Sequence, residues 1–249
     1  MIARRIAALL GVGIAIAGCG SGGKPSLTVS AAASLQKAFT TYGGQFTQAT
    51  ARFSFAGSDT LAAQIEQGVK PDVFASANTK LPGELYAKGL VDKPVVFTAN
   101  KLVLAVPAGS SKITGLADVE KPGVTLVIGT PTVPVGDYTS KVLARLASAQ
   151  RTAIEANVKD READVTGIVG KLTQGAADAG FLYATDVRAA GGKLKAIDLP
   201  ASLQPNVAYG IAVVKGSSHS SQARQFINGL LSGTGRSDLL ADGFLPPPG

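Results

Sequence analysis

The sequence predicts an α/β protein of two lobes, each a mostly parallel sheet flanked by helices, joined by two crossover strands. Three observations predict it. Short apolar runs alternate with amphipathic stretches, the rhythm of a parallel sheet wrapped by helices. Two longer apolar runs, 95–106 and 206–214, stand where the chain would leave one lobe and later return. The length of 249 residues suits two lobes of roughly 100 residues each. On this reading 27–103 plus 208–249 form lobe I and 104–207 form lobe II.

The elements follow in order. Residues 27–30 read as a strand, and Ser34 opens an amphipathic helix reaching about Gln48. A strand over 52–56 leads to a helix over 61–67, stopped by Gly68 as its C-cap, and to a strand over 72–75. The run 95–106 has no turn signal and reads as one crossing strand. In the second lobe 124–129 is a buried strand, 138–149 a helix with Val142, Leu143 and Leu146 on one face, and 165–172 a helix followed by Gly175. Strands over 180–183 and 194–199 come next. After the return run, a helix over 220–231, a short one near Leu239 and the tail Pro246-Pro247-Pro248 close the chain.

The first residues have a different character. Arg4 and Arg5 precede the uncharged run IAALLGVGIAIA, too short to span a bilayer but suited to the core of an export signal over 1–18. Ile16-Ala17-Gly18-Cys19 then looks like a bacterial lipobox, whose Cys19 is lipidated and becomes the new N-terminus. An ordinary signal followed by a chance Cys is the plainer alternative. Residues 19–26 carry tether composition. An anchored Cys19 with a flexible tether places the domain outside the cytoplasm, held on the membrane's outer face.

Composition narrows the function. Loss of Arg4 and Arg5 with the leader takes the net charge from +7 to +5. The basic residues are scattered without interleaved aromatics, so nucleic acid is not an expected partner. A charged fraction of 16%, against roughly 25% in ordinary globular chains, argues against disorder or coiled coil. One Cys and one His exclude a disulfide framework within the chain and leave little for a zinc site. No metal-cation site and no cofactor are expected.

Two strand-to-helix junctions stand out: Ala31-Ala32-Ala33-Ser34-Leu35 and Ala56-Gly57-Ser58-Asp59-Thr60-Leu61. A helix N-terminus exposes unpaired N–H groups and carries partial positive charge. A serine there adds a hydroxyl donor, and two such junctions side by side make a pocket for an oxyanion. Simple capping explains each serine equally well.

Thr28-Val29-Ser30-Ala31-Ala32-Ala33-Ser34-Leu35, then Phe55-Ala56-Gly57-Ser58-Asp59-Thr60-Leu61-Ala62-Ala63-Gln64-Ile65, Pro71-Asp72-Val73-Phe74-Ala75-Ser76-Ala77 and Gly129-Thr130-Pro131-Thr132-Val133-Pro134-Val135-Gly136-Asp137-Tyr138 follow one another along the chain. Together they resemble the periplasmic molybdate-binding proteins that feed ABC transporters, and the likeness runs to Gly243-Phe244. It implies the two-lobed type II periplasmic-binding-protein fold, closing on molybdate or tungstate and delivering it to a permease with a cytoplasmic ATPase. It also implies a monomer that is not an enzyme. By the same resemblance Ser34 and Ser58 donate to the ligand, Val135 and Val165 give backbone N–H groups, and Tyr183, in Gly180-Phe181-Leu182-Tyr183, gives its hydroxyl. Each has a structural alternative: Val135 as a turn residue after Pro134, Val165 as a helix core residue, Tyr183 as a core aromatic bonded to a carbonyl.

Neutral donors suffice for a tetrahedral dianion, because each charge-assisted bond is worth about 1.5–3 kcal/mol net. Selection against sulfate then rests on cavity size. Asp59 departs from the resemblance, which carries Ser there. Turned inward it would have to be protonated to face a dianion. Turned outward it is a helix-start acid favoured by the dipole, and that placement is the expected one.

Rival readings are a sulfate- or phosphate-type oxyanion binder and a serine acyl enzyme. The second rests on Ser34-Leu35-Gln36-Lys37, an S-x-x-K match, with Ser58-Asp59-Thr60 loosely like S-D-N. The K-T-G element is missing, and Lys37 falls on the helix's outer face. His219 lies in a polar loop before a helix without a base-and-nucleophile partner set.

Overall fold

A computed structural model describes residues 23–248. The expected leader, Cys19 and the tether up to Gly22 lie outside the described residues. Among the described residues no helix is long and apolar enough to cross a membrane.

The chain begins with β1 (Ser26–Ala32), a 3₁₀ turn over Ala33–Leu35 and α1 (Gln36–Gln45). Then come β2 (Thr50–Ala56), α2 (Ser58–Glu66), β3 (Val73–Ser76), α3 (Lys80–Ala87) and β4 (Val95–Asn100). The second half holds β5 (Leu102–Pro107), β6 (Leu126–Gly129), α4 (Pro134–Ala144), α5 (Ser148–Asn157), β7 (Val158–Glu162), α6 (Val165–Thr173), β8 (Ala179–Tyr183), α7 (Ala184–Ala189) and β9 (Leu194–Asp198). The chain closes with β10 (Val207–Val213), α8 (Ser220–Ser232) and α9 (Thr234–Ala241).

Two five-stranded sheets result, ordered β2-β1-β3-β10-β4 and β7-β6-β8-β5-β9. In each, four strands run one way and one runs against them: β10 in the first, β5 in the second. The two reversed strands follow the two passages between sheets, so the expected mostly parallel α/β architecture is present twice with one topology. The central strands are near-continuous apolar runs because helices cover both faces; β8 and β10 are buried along their whole length.

Several boundaries differ from the sequence reading. The run 95–106 is two strands, not one: Lys101 breaks it, and β4 and β5 belong to different sheets. The helix expected over 138–149 starts at Pro134 and stops at Ala144, because proline without an N–H fits the first helical position. The first helix opens as a 3₁₀ turn and ends at Gln45 rather than Gln48, and Ser26 of the expected tether is already in β1. Helices α3, α5 and α7 and strand β7 come in addition to the elements that the sequence predicts.

The core of the first sheet is aromatic. Phe39 on α1 packs edge-on against Phe226 of α8 with ring centroids 5.6 Å apart, and Tyr42 lies 4.7 Å from the same ring. A second aromatic line crosses from sheet to sheet: Tyr138 to Tyr183 at 6.4 Å, Tyr183 to Tyr209 at 5.8 Å and Tyr209 to Phe244 at 5.6 Å. That line backs the space where the sheets face each other.

Candidate functional site

In open α/β sheets ligands collect beyond the carboxyl ends of strands, where helix N-termini point. Here β1, β2, β3 and β8 all end at one cavity. It is lined by residues 32–34, 56–58, 133–135 and 164–165, with Ala77 and Tyr183, and the space amounts to about 220 Å³, part of it open to solvent. The N-termini of α2, α4 and α6 and of the 3₁₀ turn leading into α1 converge there. Each α-helix brings about half a positive charge on its first N–H groups. Among the described residues no Lys, Arg or His lines the cavity.

Several lining residues are fixed by hydrogen bonds within the chain. Ser58, 1% exposed, sits at the first position of α2, and Ala77 N–H donates to its Oγ at 3.1 Å. That leaves the Ser58 proton to be directed elsewhere. Ser34 Oγ lies 2.9 Å from Tyr209 Oη. On α6, Asp164 is the N-cap; its Oδ1 accepts from Thr166 N–H at 2.7 Å and Gly167 N–H at 3.2 Å, and Val165, the first residue of the helix, stands between cap and capped groups at the cavity wall. Val135 is not in a loop but on the second residue of α4, where a helix has no internal acceptor for the N–H. Gly129 and Gly136 press this junction together: a Cβ on Gly136 would lie 1.9 Å from the Thr130 carbonyl oxygen.

Tyr183 is 1% exposed, and its hydroxyl is buried with no hydrogen-bond partner among the described residues. Buried polar groups are nearly always paired, so this unpaired hydroxyl on a residue of the cavity wall stands out. Burial, with the nearby Tyr209, pushes this phenol well above its ordinary pKa, so it stays protonated. Tyr183 is also the N-cap residue of α7, where Asp186 Oδ2 accepts its backbone N–H at 3.0 Å and fixes the residue's direction. Burial, opposed by that hydrogen bond and reinforced by Asp164, pushes the Asp186 carboxyl up to about 7.

Five of the six residues singled out from the sequence therefore meet at one cavity: Ser34, Ser58, Val135, Val165 and Tyr183. Asp59 is not among the residues that line it. Its side chain turns back to its own helix start, where Thr60 N–H donates to Oδ1 at 2.8 Å, and it borders a separate surface depression with Gln64 and Gln67. The S-x-x-K pairing is absent too: Lys37 points to solvent and pairs with Asp242. His219 Nδ1 lies 3.3 Å from Asp72 Oδ1, in a stitch that ties the loop before α8 to β1 through Thr28 and Ser217. Among the described residues no group of three or more His, Cys, Asp or Glu is placed to hold a metal ion.

Sequence reasoning misses two polar residues behind the cavity, Tyr209 and Asn100. The available signal is modest: each is a hydrogen-bonding side chain inside an otherwise apolar run.

Paired sheets of this strand order, with helix N-termini converging between them on a pocket that has no cationic side chain among the described residues, are the architecture of a solute-binding protein. The family model described as "Bacterial extracellular solute-binding protein" matches residues 27–245, and the chain belongs to that family. It is 36% identical over 231 residues to the molybdate-binding protein ModA of Mycobacterium tuberculosis, covering 90% of this chain and 86% of that protein. It is 32% identical over 235 residues to ModA of Haemophilus influenzae, covering 88% and 89%. The solved Azotobacter vinelandii periplasmic molybdate-binding protein superposes with a TM-score of 0.80 at 22% identity, covering 89% of this chain and all of that one.

Proposed function

We propose that this chain is the solute receptor of an ABC importer, capturing molybdate, and tungstate with it, between its lobes and presenting it to a permease with a cytoplasmic ATPase. The observation that carries the reading is the buried, unpartnered Tyr183 hydroxyl on a cavity that, among the described residues, also holds two serine hydroxyls and no cationic side chain. The ligand's oxygens would take hydrogen bonds from Ser34 Oγ, Ser58 Oγ, Tyr183 Oη and the N–H groups of Val135 and Val165. Ser34 and Ser58 belong to the first sheet's segment and the other three to the second's, so the anion bridges the two and stabilises their closure. Each charge-assisted bond contributes about 1.5–3 kcal/mol net, enough for tight capture once several act together. A site built without a fixed cation keeps release possible when the lobes part.

In this reading the protein works as a monomer without a resident cofactor or chemical turnover. It is exported and held by a lipid on Cys19 at the outer face of the cytoplasmic membrane. Size selects among the anions: sulfate has the same charge but is smaller, and would leave donors at this cavity underfilled.

Calorimetric titration with molybdate, tungstate, sulfate and phosphate tests this. One-to-one saturable binding of the first two is expected, with sulfate and phosphate at least about tenfold weaker, a difference of ~1.4 kcal/mol. Equal affinity for all four, or binding of none, overturns the proposal.

A further inference from the structure

A hydroxyl placed beside an anion helps only if its proton points at the anion. Ser58 has its lone pair engaged by the Ala77 N–H. For Ser34 the direction depends on Tyr209, because either oxygen of that 2.9 Å contact could donate.

The direction is set further back. Asn100 closes β4 at the passage between the sheets, and Lys101 N–H donates to its Oδ1 at 2.9 Å. A backbone N–H needs an oxygen acceptor, so this contact fixes which end of the Asn100 amide is which. The Nδ2 end then donates to Thr185 Oγ1 at 2.8 Å and to Tyr209 Oη at 3.3 Å. Tyr209 Oη thus accepts a hydrogen bond from Asn100, which leaves its own O–H to donate to Ser34 Oγ, the acceptor within reach. A phenol is also a better donor and poorer acceptor than an aliphatic alcohol, which favours the same direction. Ser34, having accepted, has its single proton free for the cavity. Tyr209 is completely buried, and burial pushes its phenol well above its ordinary pKa, so the donor is present at any physiological pH.

We propose that Tyr209 is a positioning residue for the anion site: it donates to Ser34 so that Ser34 donates into the cavity, and Asn100 at the passage between sheets dictates that order. The inference rests on the oxyanion reading above. It assigns Tyr209 no contact with the ligand, since Tyr209 does not line the cavity. Replacing Tyr209 by Phe keeps the ring against Phe97, Tyr183 and Phe244 and lets Ser34 rotate its proton away from the ligand.

The test is a pair of double-mutant cycles read by calorimetric titration with molybdate, with thermal unfolding of each ligand-free variant as a check on folding. Tyr209→Phe is expected to weaken binding about tenfold. In a Ser34→Ala background the same change should cost less than about twofold, because its effect passes through the Ser34 hydroxyl. In a Ser58→Ala background it should keep its full tenfold cost. A merely structural role for Tyr209 would give equal losses in all three backgrounds, and that result overturns the inference while leaving the oxyanion reading intact. Failure of the unsubstituted protein to bind any oxyanion would overturn both.

Discussion

Gly57 and Ala163 meet across the cleft: a Cβ on Gly57 would lie 2.5 Å from the Ala163 carbonyl oxygen. The two residues belong to different halves, Gly57 capping α2 and Ala163 preceding the α6 cap. Gly57 has φ −56° and ψ 135°, a conformation any residue adopts, so its lack of a side chain serves the approach of the halves and not the local backbone.

Gly57→Ala should therefore hold the lobes apart, with only a small local shift of the Asp59 carboxylate, which the added Cβ would meet at 2.9 Å. We expect anion affinity to fall at least about tenfold, with thermal stability of the ligand-free protein unchanged or slightly raised, since alanine restricts the unfolded chain by about 0.4–1 kcal/mol. Small-angle scattering should show the ligand-induced contraction of the unsubstituted protein lost in the variant. Retained affinity would mean that the closed contact at Ala163 contributes nothing to capture.

Tyr183→Phe removes a hydroxyl with no protein partner among the described residues and leaves the ring. Ligand-free stability should hold or rise, because no internal bond is lost. Affinity for molybdate should fall about 10- to 100-fold, the equivalent of about 1.5–3 kcal/mol for a bond to a charged group. Unchanged affinity with lowered stability would make Tyr183 a core aromatic only.

Asp186 gives a pH signature. Its folded pKa of about 7 lies above the unfolded value of about 3.9, so the folded protein keeps the proton where the unfolded chain has lost it. The sign follows: the contribution of this group to stability is full below the unfolded value and is lost as pH rises through the folded one. Asp186→Asn keeps an acceptor for the Tyr183 N–H and removes the titration. Urea unfolding should show the variant gaining on the unsubstituted protein between about pH 5 and about pH 8. The gain should be a few kcal/mol at most, because each tenfold difference in proton affinity between the folded and unfolded states is worth ~1.4 kcal/mol. An identical difference at both pH values would contradict the assignment.

Asp59 predicts a quiet variant. Its carboxylate is engaged at the α2 start and borders another surface. Asp59→Asn should change molybdate affinity less than about twofold, well under the ~1.4 kcal/mol that a tenfold change represents. A variant that binds markedly tighter would place the carboxylate against the anion.

What can be read from the sequence is what is local. Ser34, Ser58, Val135, Val165 and Tyr183 each sit at a strand end or helix start, where short words carry both the turn and the donor, and all five reach one cavity. The elements that escape it lack local signals. In α3 the interior Pro82 and Gly83 read as breakers; α5 buries only Ile154 and Asn157; β7, Val-Lys-Asp-Arg-Glu, is a charged edge strand paired on one side alone. The break at Asn100-Lys101 is easily passed over because it carries no Gly or Pro and apolar residues resume directly after it. Tyr209 is out of reach for another reason: its partners Ser34 and Asn100 lie 175 and 109 positions away, and only the assembled first sheet brings them together.

A crystal grown with molybdate tests the central claim most directly, because molybdenum scatters anomalously and its position needs no interpretation. The account predicts one peak in the interlobe cavity, with oxygens within hydrogen-bond distance of Ser34 Oγ, Ser58 Oγ, Tyr183 Oη and the N–H groups of Val135 and Val165, and no cationic side chain among them. A cavity that stays empty at saturating molybdate, or that holds an organic solute through apolar contacts, would contradict it.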